Sequence, residues 1–300
     1  MKILVTGATG YTGSRTAAAL RRAGHTVLGL TRDALSPRAR ALAAHEVQPV
    51  TGELADPGSY RHHLDDVDAV VHAVLDLNDP VGSDQKLFAE LLAAQERTGR
   101  GRHLVYTTGI SSYGRTGVSP MDEDTPGDPA SPLHFRMVLE AELAATGLPH
   151  TVIRPGFVYG GEASTSMTAQ WFAAGAAGRV TFYGDRAKRW TWVHVDDLAA
   201  SYVAVLARTD VAAGRVFVVG DDQQPTALEV CTACARAAGH TGEITFEPAE
   251  AGGMLQTAAD QDELVISART RTLLDWTPRH SGVLADPAAL HRAWPAARAA

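Results

Sequence analysis

Cysteine is nearly missing from this chain: the 300 residues hold only 2, Cys231 and Cys234. That excludes a disulfide-stapled scaffold and leaves no further thiol to complete a zinc cluster, so no metal site is expected. Their C-x-x-C spacing falls in a stretch that reads as helix interior, where small buried residues are the expectation. Long apolar runs are missing too, and no window approaches a membrane span. Met1-Lys2-Ile3-Leu4-Val5 passes straight into a glycine-rich turn with no secretory n-region or cleavage site, so a cytoplasmic location is expected. Positive charge is in deficit, with a formal net charge of -7, which argues against a general nucleic-acid partner. Lysine occurs only at positions 2, 86 and 188, and no tyrosine lies between Tyr113 and Tyr159.

What is present has the pattern of an α/β protein. Hydrophobic residues make up 45% of the chain, enough to fill one large domain or one domain plus a smaller lobe. Apolar runs at 2–6, 26–31, 68–74, 103–108 and 151–154 read as buried strands. Between them, 14–23, 83–97 and 133–145 carry helical periodicity, the second with Leu87, Phe88, Leu91 and Leu92 on one face. Strands and helices alternating at this spacing require right-handed crossovers, hence a doubly wound parallel sheet of Rossmann type. After Pro155 the chain becomes rich in turns, with a strand at 216–219 and a helix at 227–238. The expected division is a dinucleotide-binding domain over 1–155 and a smaller, partly interleaved substrate lobe over 156–300.

Thr6-Gly7-Ala8-Thr9-Gly10-Tyr11-Thr12-Gly13 places three spaced glycines between the first strand and the first helix. Gly7 permits a tight turn, Gly10 lets backbone approach a diphosphate, and Gly13 lets the helix pack on the strand. The helix N-terminus then offers free N–H groups and a positive dipole end to the anion. An NAD site usually has an acidic residue at the end of the second strand; here Thr31 is followed by Arg32 and then Asp33. A guanidinium suits a 2′-phosphate, which favours NADP(H), while the nearby Asp33 keeps NAD(H) open.

With these residues in view, the chain resembles the short-chain dehydrogenase/reductase superfamily in its extended, epimerase/dehydratase-like branch. Beyond the glycine loop, the likeness rests on Gly52-Glu53-Leu54, Asp68-Ala69-Val70-Val71-His72-Ala73-Val74 and Asp122-Glu123-Asp124-Thr125-Pro126. It continues in Ile153-Arg154-Pro155-Gly156-Phe157-Val158-Tyr159-Gly160, Val193-His194-Val195-Asp196-Asp197-Leu198 and a late signature ending at Trp276-Thr277-Pro278. The resemblance implies a cofactor-binding set of Gly7, Thr9, Gly10, Tyr11, Thr12, Gly13, Arg32, Glu53, Leu54, Ala73, Val74, Thr107, Pro155, Gly156, Phe157 and Val158. It also implies a small-molecule substrate and a chain that is a monomer or a homodimer.

Members of that branch use a Ser/Thr, a Tyr and a Lys, because hydride arriving at a carbonyl leaves an alkoxide that needs an acid, a contribution of about 10²–10⁴-fold. Anchored on the glutamates at 140 and 142, the tyrosine position falls on His134 and the lysine position on Val138; counting back from Tyr113-Gly114, the serine position falls on Gly109. The conventional set is therefore absent. Ser111 and His134 are the replacement candidates, Ser111 as a hydroxyl beside the substrate or a turn residue, His134 as an acid near neutral pH or a residue that packs the helix. The substrate itself is a further proton source if a phenol adjoins its carbonyl. That logic selects hydroxylated polycyclic aromatic ketones, with Ser111, Ser112, Tyr159, Trp171 and Trp192 as substrate-side residues and Phe172, Tyr183 and Trp190 as further pocket aromatics. An NADPH-dependent ketoreductase is the reading this supports; a catalytically silent cofactor sensor resembling NmrA-like regulators is the alternative. A nucleotide-sugar epimerase is disfavoured, since deprotonating a saturated alcohol needs the missing Tyr and Lys.

Overall fold

Residues 1–162 and 165–296 are described in the computed structural model. A central parallel sheet is built from β1 (Lys2–Thr6), β2 (Thr26–Thr31), β3 (Gln48–Thr51), β4 (Ala69–His72), β5 (His103–Thr107) and β6 (His150–Pro155). The chain continues through β7 (Phe157–Tyr159), β8 (Val180–Tyr183), β9 (Trp192–His194), β10 (Arg215–Val219) and β11 (Ile244–Glu247). The 7-stranded sheet runs β10-β6-β5-β4-β1-β2-β3, all pairs parallel. The doubly wound Rossmann fold and its smaller C-terminal lobe are thus as the sequence pattern requires. The order reverses between β1 and β4, and in open α/β sheets ligands bind beyond the strand C-termini at such a crevice.

Helices cover both faces. On one, α1 (Tyr11–Arg22) packs beside Val195–Ala207 over a core that includes Ile3, Val5, Leu20, Val71 and Tyr202. On the other, Gly82–Thr98 and Phe135–Ala145 lie over Leu4, Val70, Leu104 and Tyr106, burying Leu87, Phe88, Leu91 and Leu139. Gly99 ends the longer of these in the left-handed region at φ 68°, a conformation that favours glycine.

β10 comes from beyond residue 155 yet pairs with β6 from Thr151 to Pro155, so the second half of the chain is threaded into the first. Beside Val195–Ala207, which covers the sheet, another part of that half forms a separate aromatic core of Trp171, Phe172, Trp190 and Trp192 against Ala227–Ala237. This helix starts with a full capping box between Thr226 and Glu229. Cys231 and Cys234 are unpaired and buried on its inner face, and burial pushes the Cys231 thiol up to about 12, which disfavours the reactive thiolate. The stretch after Pro155 holds more helix than its glycines suggest, in Met167–Ala176 and Val195–Ala207. Strand β3 was hidden by its brevity and by Pro49.

Candidate functional site

The glycine loop joins β1 to α1 with little room for anything larger. Gly7 sits at φ 67°, and a Cβ there would lie 2.7 Å from the Ala73 carbonyl oxygen. A Cβ on Gly13 would lie 2.1 Å from the Gly7 oxygen, an overlap that backbone cannot yield to. Gly10 is the N-cap of α1 and no side chain caps the helix, so its first N–H groups face outward for an anion. The cradle therefore fits a dinucleotide's diphosphate on the geometry of the chain itself.

From this loop a cleft of about 370 Å³ opens along the C-terminal ends of the central strands. It is lined on one side by Tyr11, Thr12, Ala73, Val74 and Leu75, and on the other by Pro155, Gly156, Phe157, Val158 and Met167. Its inner wall is the turn after β5, from Thr107 to Ser112, with Leu133 and Arg136. The cleft thus brings together Tyr11, Thr12, Ala73, Val74, Thr107, Ser111, Ser112 and Pro155 to Val158 of the sequence-derived set. A second concavity of about 250 Å³ lies outside the loop, between α1 and Pro37–Ala43, lined by Thr9, Gly10, Arg15, Arg22 and Arg38.

The hydroxyls of the inner wall are each committed. Thr107 shares a 2.7 Å hydrogen bond with Tyr202, and Ser112 donates to the Gly109 carbonyl at 2.6 Å. Thr108 donates at 2.6 Å to Glu140, whose carboxylate is held bidentately by the buried Arg154 guanidinium. Ser111 donates at 2.7 Å to Glu263, a carboxyl with no solvent exposure. The one tyrosine in the wall, Tyr11, donates its hydroxyl to the Gly160 carbonyl at 2.6 Å, and burial raises its pKa far above the usual phenol range. It is a poor proton source.

A cation in the inner wall of the cleft is Arg136. It is buried, bonds the Thr107 carbonyl and lies 3.6 Å from Asp84. Burial alone would raise the Asp84 carboxyl, but His72, Tyr106 and Arg136 together hold it below the usual range. His72 joins Asp84 at 2.9 Å to Thr6 at 2.8 Å, a buried polar chain crossing beneath the cleft floor. Sequence reasoning did not single out Arg136, which lies one helical turn before Glu140, the partner of Arg154. Glu263 had no local signal, being 152 residues from Ser111.

Several expectations are corrected. His134 is absent from the cleft lining; it precedes Phe135–Ala145 and its ring packs on Gly127, with a Cβ there only 3.0 Å from Nδ1. Val138 points to solvent at 47% exposure. Trp171, Trp192 and Tyr159 are buried in the lobe's own core, away from the cleft lining, because the rings satisfy one another: Trp171 and Trp192 both pack on Trp190, whose ring stacks 3.9 Å behind Phe157. Trp190 and Phe172 are core too, and Tyr183 is outside the lining. Arg32, Glu53 and Leu54 lie outside both concavities, Arg32 and Glu53 exposed at the ends of β2 and β3. Lys188 is buried under the lobe, donating to the Tyr183 carbonyl at 2.6 Å and to Asp260. Among the described residues, His194, Asp196 and His280 bring donor atoms within 4.8 Å, but His194 Nδ1 accepts the Asp196 N–H as a helix cap and His280 bonds Asp197.

Sheet order, glycine cradle and cleft define a dinucleotide-binding α/β enzyme of the extended type. The sequence model of the NAD dependent epimerase/dehydratase family matches residues 3–220, and the chain belongs to that family. It is accordingly an NAD(P)-dependent enzyme of oxidoreductase type. A UDP-glucose 4-epimerase of Mycolicibacterium smegmatis is 31% identical over 307 residues, covering 93% of this chain and 94% of that protein. A 3-diazoavenalumate denitrifying reductase of a Streptomyces species is 26% identical over 302 residues, covering 93% and 97%. Among solved structures, a dTDP-glucose 4,6-dehydratase from Streptomyces venezuelae superposes with a TM-score of 0.83 at 22% identity, over 100% of this chain and 98% of that one. A UDP-glucose 4-epimerase from Bifidobacterium longum, solved with NAD+ and UDP, gives 0.80 at 20% identity over 99% and 98%.

Proposed function

We propose that the protein is an NADPH-dependent ketoreductase acting on a hydroxylated polycyclic aromatic ketone, with a phenol of the substrate supplying the first proton. The observation that carries the reading is the wall of the cleft: its tyrosine is spent on Gly160 and its helix offers Arg136 and no lysine, with no tyrosine beside it. An epimerase or dehydratase acting on a saturated alcohol needs a base there, whereas a phenol, with a pKa of about 10, carries its own exchangeable proton. The mostly apolar flanks, Val74, Leu75, Ile110, Leu133, Phe157 and Met167, suit a flat ring system.

In this reading the residues from Gly7 to Gly13 hold the diphosphate, and Ala73, Val74 and Pro155 to Val158 flank the nicotinamide half. When bound, the nicotinamide supplies the hydride. Arg32 takes the 2′-phosphate, since no acidic side chain competes: Asp33 turns its carboxylate back onto the Leu35 N–H at 2.8 Å. Arg15, Arg22 and Arg38 add positive potential nearby. The residues beyond 155 that gather around Trp171 and Trp190 form the substrate lobe, while β10 and Val195–Ala207 complete the dinucleotide half, and the protein acts as a monomer or a homodimer.

The test compares NADPH consumption on a hydroxylated polycyclic aromatic ketone with that on its O-methyl ether. The free phenol should turn over, and blocking it should cost about 10²-fold or more. Equal rates on both, or epimerisation of UDP-glucose, would refute the proposal; cofactor uptake with no turnover would mark a sensor instead.

A further inference from the structure

Behind the cleft wall lies a carboxyl that the reading above leaves unused. Glu263 is fully buried, and its backbone is pinned on both sides, donating to the Arg189 carbonyl and accepting from the Thr191 N–H at 2.9 Å each. Its Oε2 accepts from Ser111, which lines the cleft, while Oε1 has no hydrogen bond within ordinary geometry among the described residues. Burial pushes the carboxyl up to about 7, against the opposing pull of Ser111, Gln261 and the Lys188 charge. At neutral pH such a group is poised between its two forms.

The neighbouring hydroxyls do not offer this. Thr108 reaches a carboxylate that Arg154 keeps ionised, Ser112 reaches only a backbone carbonyl, and Thr107 reaches Tyr202, whose pKa burial raises. Within this wall, Ser111 is the hydroxyl that connects the cleft to an acid with no guanidinium on it.

We propose that Glu263 and Ser111 form a two-member proton relay, Glu263 storing the proton and Ser111 passing it to the substrate oxygen that reduction leaves anionic. This deepens the ketoreductase reading and rests on it: there the oxyanion is the phenolate formed when the phenol protonates the new alkoxide. In the relay step Glu263 carries its proton on Oε2 and the hydrogen bond to Ser111 is reversed, Oε2–H donating to Oγ and the Ser111 hydroxyl turning to the substrate; the Ser111 O–H bond breaks as the substrate O–H bond forms, and the Glu263 O–H bond breaks as its proton moves to Ser111 Oγ. Serine is restored, Glu263 is left as a carboxylate, and no electrons change hands. After product leaves, water in the cleft returns one proton through Ser111 in the reverse direction. Ser111 touches the substrate; Glu263 acts through it.

The test is the pH profile of kcat/KM for the cofactor-loaded enzyme with Glu263→Gln, Ser111→Ala and Ser111→Thr. Wild type should lose activity as pH rises above about 7, because the protonated acid is the active form. Glu263→Gln and Ser111→Ala should each lower the rate roughly 10²-fold and abolish that limb, and Ser111→Thr, which keeps the hydroxyl, should recover most of the rate. A full rate in Ser111→Ala, or an unchanged limb in Glu263→Gln, overturns the relay. An infrared carboxylic-acid band that titrates near neutrality, and vanishes in Glu263→Gln, is expected without substrate; its absence in wild type overturns the stored proton even if a variant misfolds. The band present beside no ketone turnover would count against the ketone reading and leave the buried acid in place.

Discussion

The two ends of the cleft are built on different principles. At the nucleotide end, binding capacity resides in backbone: Gly7 and Gly13 approach neighbouring backbone too closely for any side chain, and the uncapped α1 terminus presents N–H groups. At the hydroxyl end, capacity resides in side chains recruited from distant strands and helices, such as Glu140 with Arg154 and Ser111 with Glu263. The first end tolerates no added atom; the second tolerates change wherever the partners change together.

The largest effect should come from splitting a partnership. Arg154→Ala leaves the Glu140 carboxylate buried without its cation and should cost about 3–5 kcal/mol in urea unfolding. Pairing it with Glu140→Leu should recover most of that loss, and failure to recover would break the comparison at this end. At the other end, Gly13→Val should weaken cofactor binding by about 10²-fold or more in calorimetry, since the Gly7 carbonyl cannot retreat without dismantling the loop. Retained affinity would show that backbone shape is not the determinant. Arg32→Ala should weaken NADPH about tenfold, roughly 1.4 kcal/mol, and leave NADH unchanged. Equal losses for both coenzymes would remove the 2′-phosphate role. His134→Ala should be mildest, lowering kcat by less than about tenfold, because the ring packs on Gly127 outside the cleft lining. A larger loss would put His134 back among the acids.

The same contrast explains what could be read from the sequence. Glycine spacing is a local signal, because the constraint on Gly7, Gly10 and Gly13 is imposed by residues close by in the chain or on the next strand of the sheet. The strand and helix alternation likewise carried the parallel, doubly wound sheet, apart from the short β3 with its proline. The inner wall was less legible. Arg136 stood one helical turn from Glu140, but nothing local marks Glu140 rather than Glu142 as the buried anchor until Arg154 is seen to grip it. Tyr159, Trp171 and Trp192 had the right chemistry for a ring pocket, yet aromatic residues gain as much from packing on one another as on a ligand. Composition cannot tell those outcomes apart. Glu263 lies beyond any local pattern.

Strand β10 carries a consequence for how the chain is made. It flanks β6 in register, yet more than half the C-terminal lobe's strands precede it in synthesis. A nascent chain halted near residue 155 would expose the backbone of β6 as an open edge, ready to pair with another molecule. Ribosomal emergence must pass Val219 before that edge is sealed, so the N-terminal half is expected to aggregate when expressed alone, whereas longer fragments should stay dispersed.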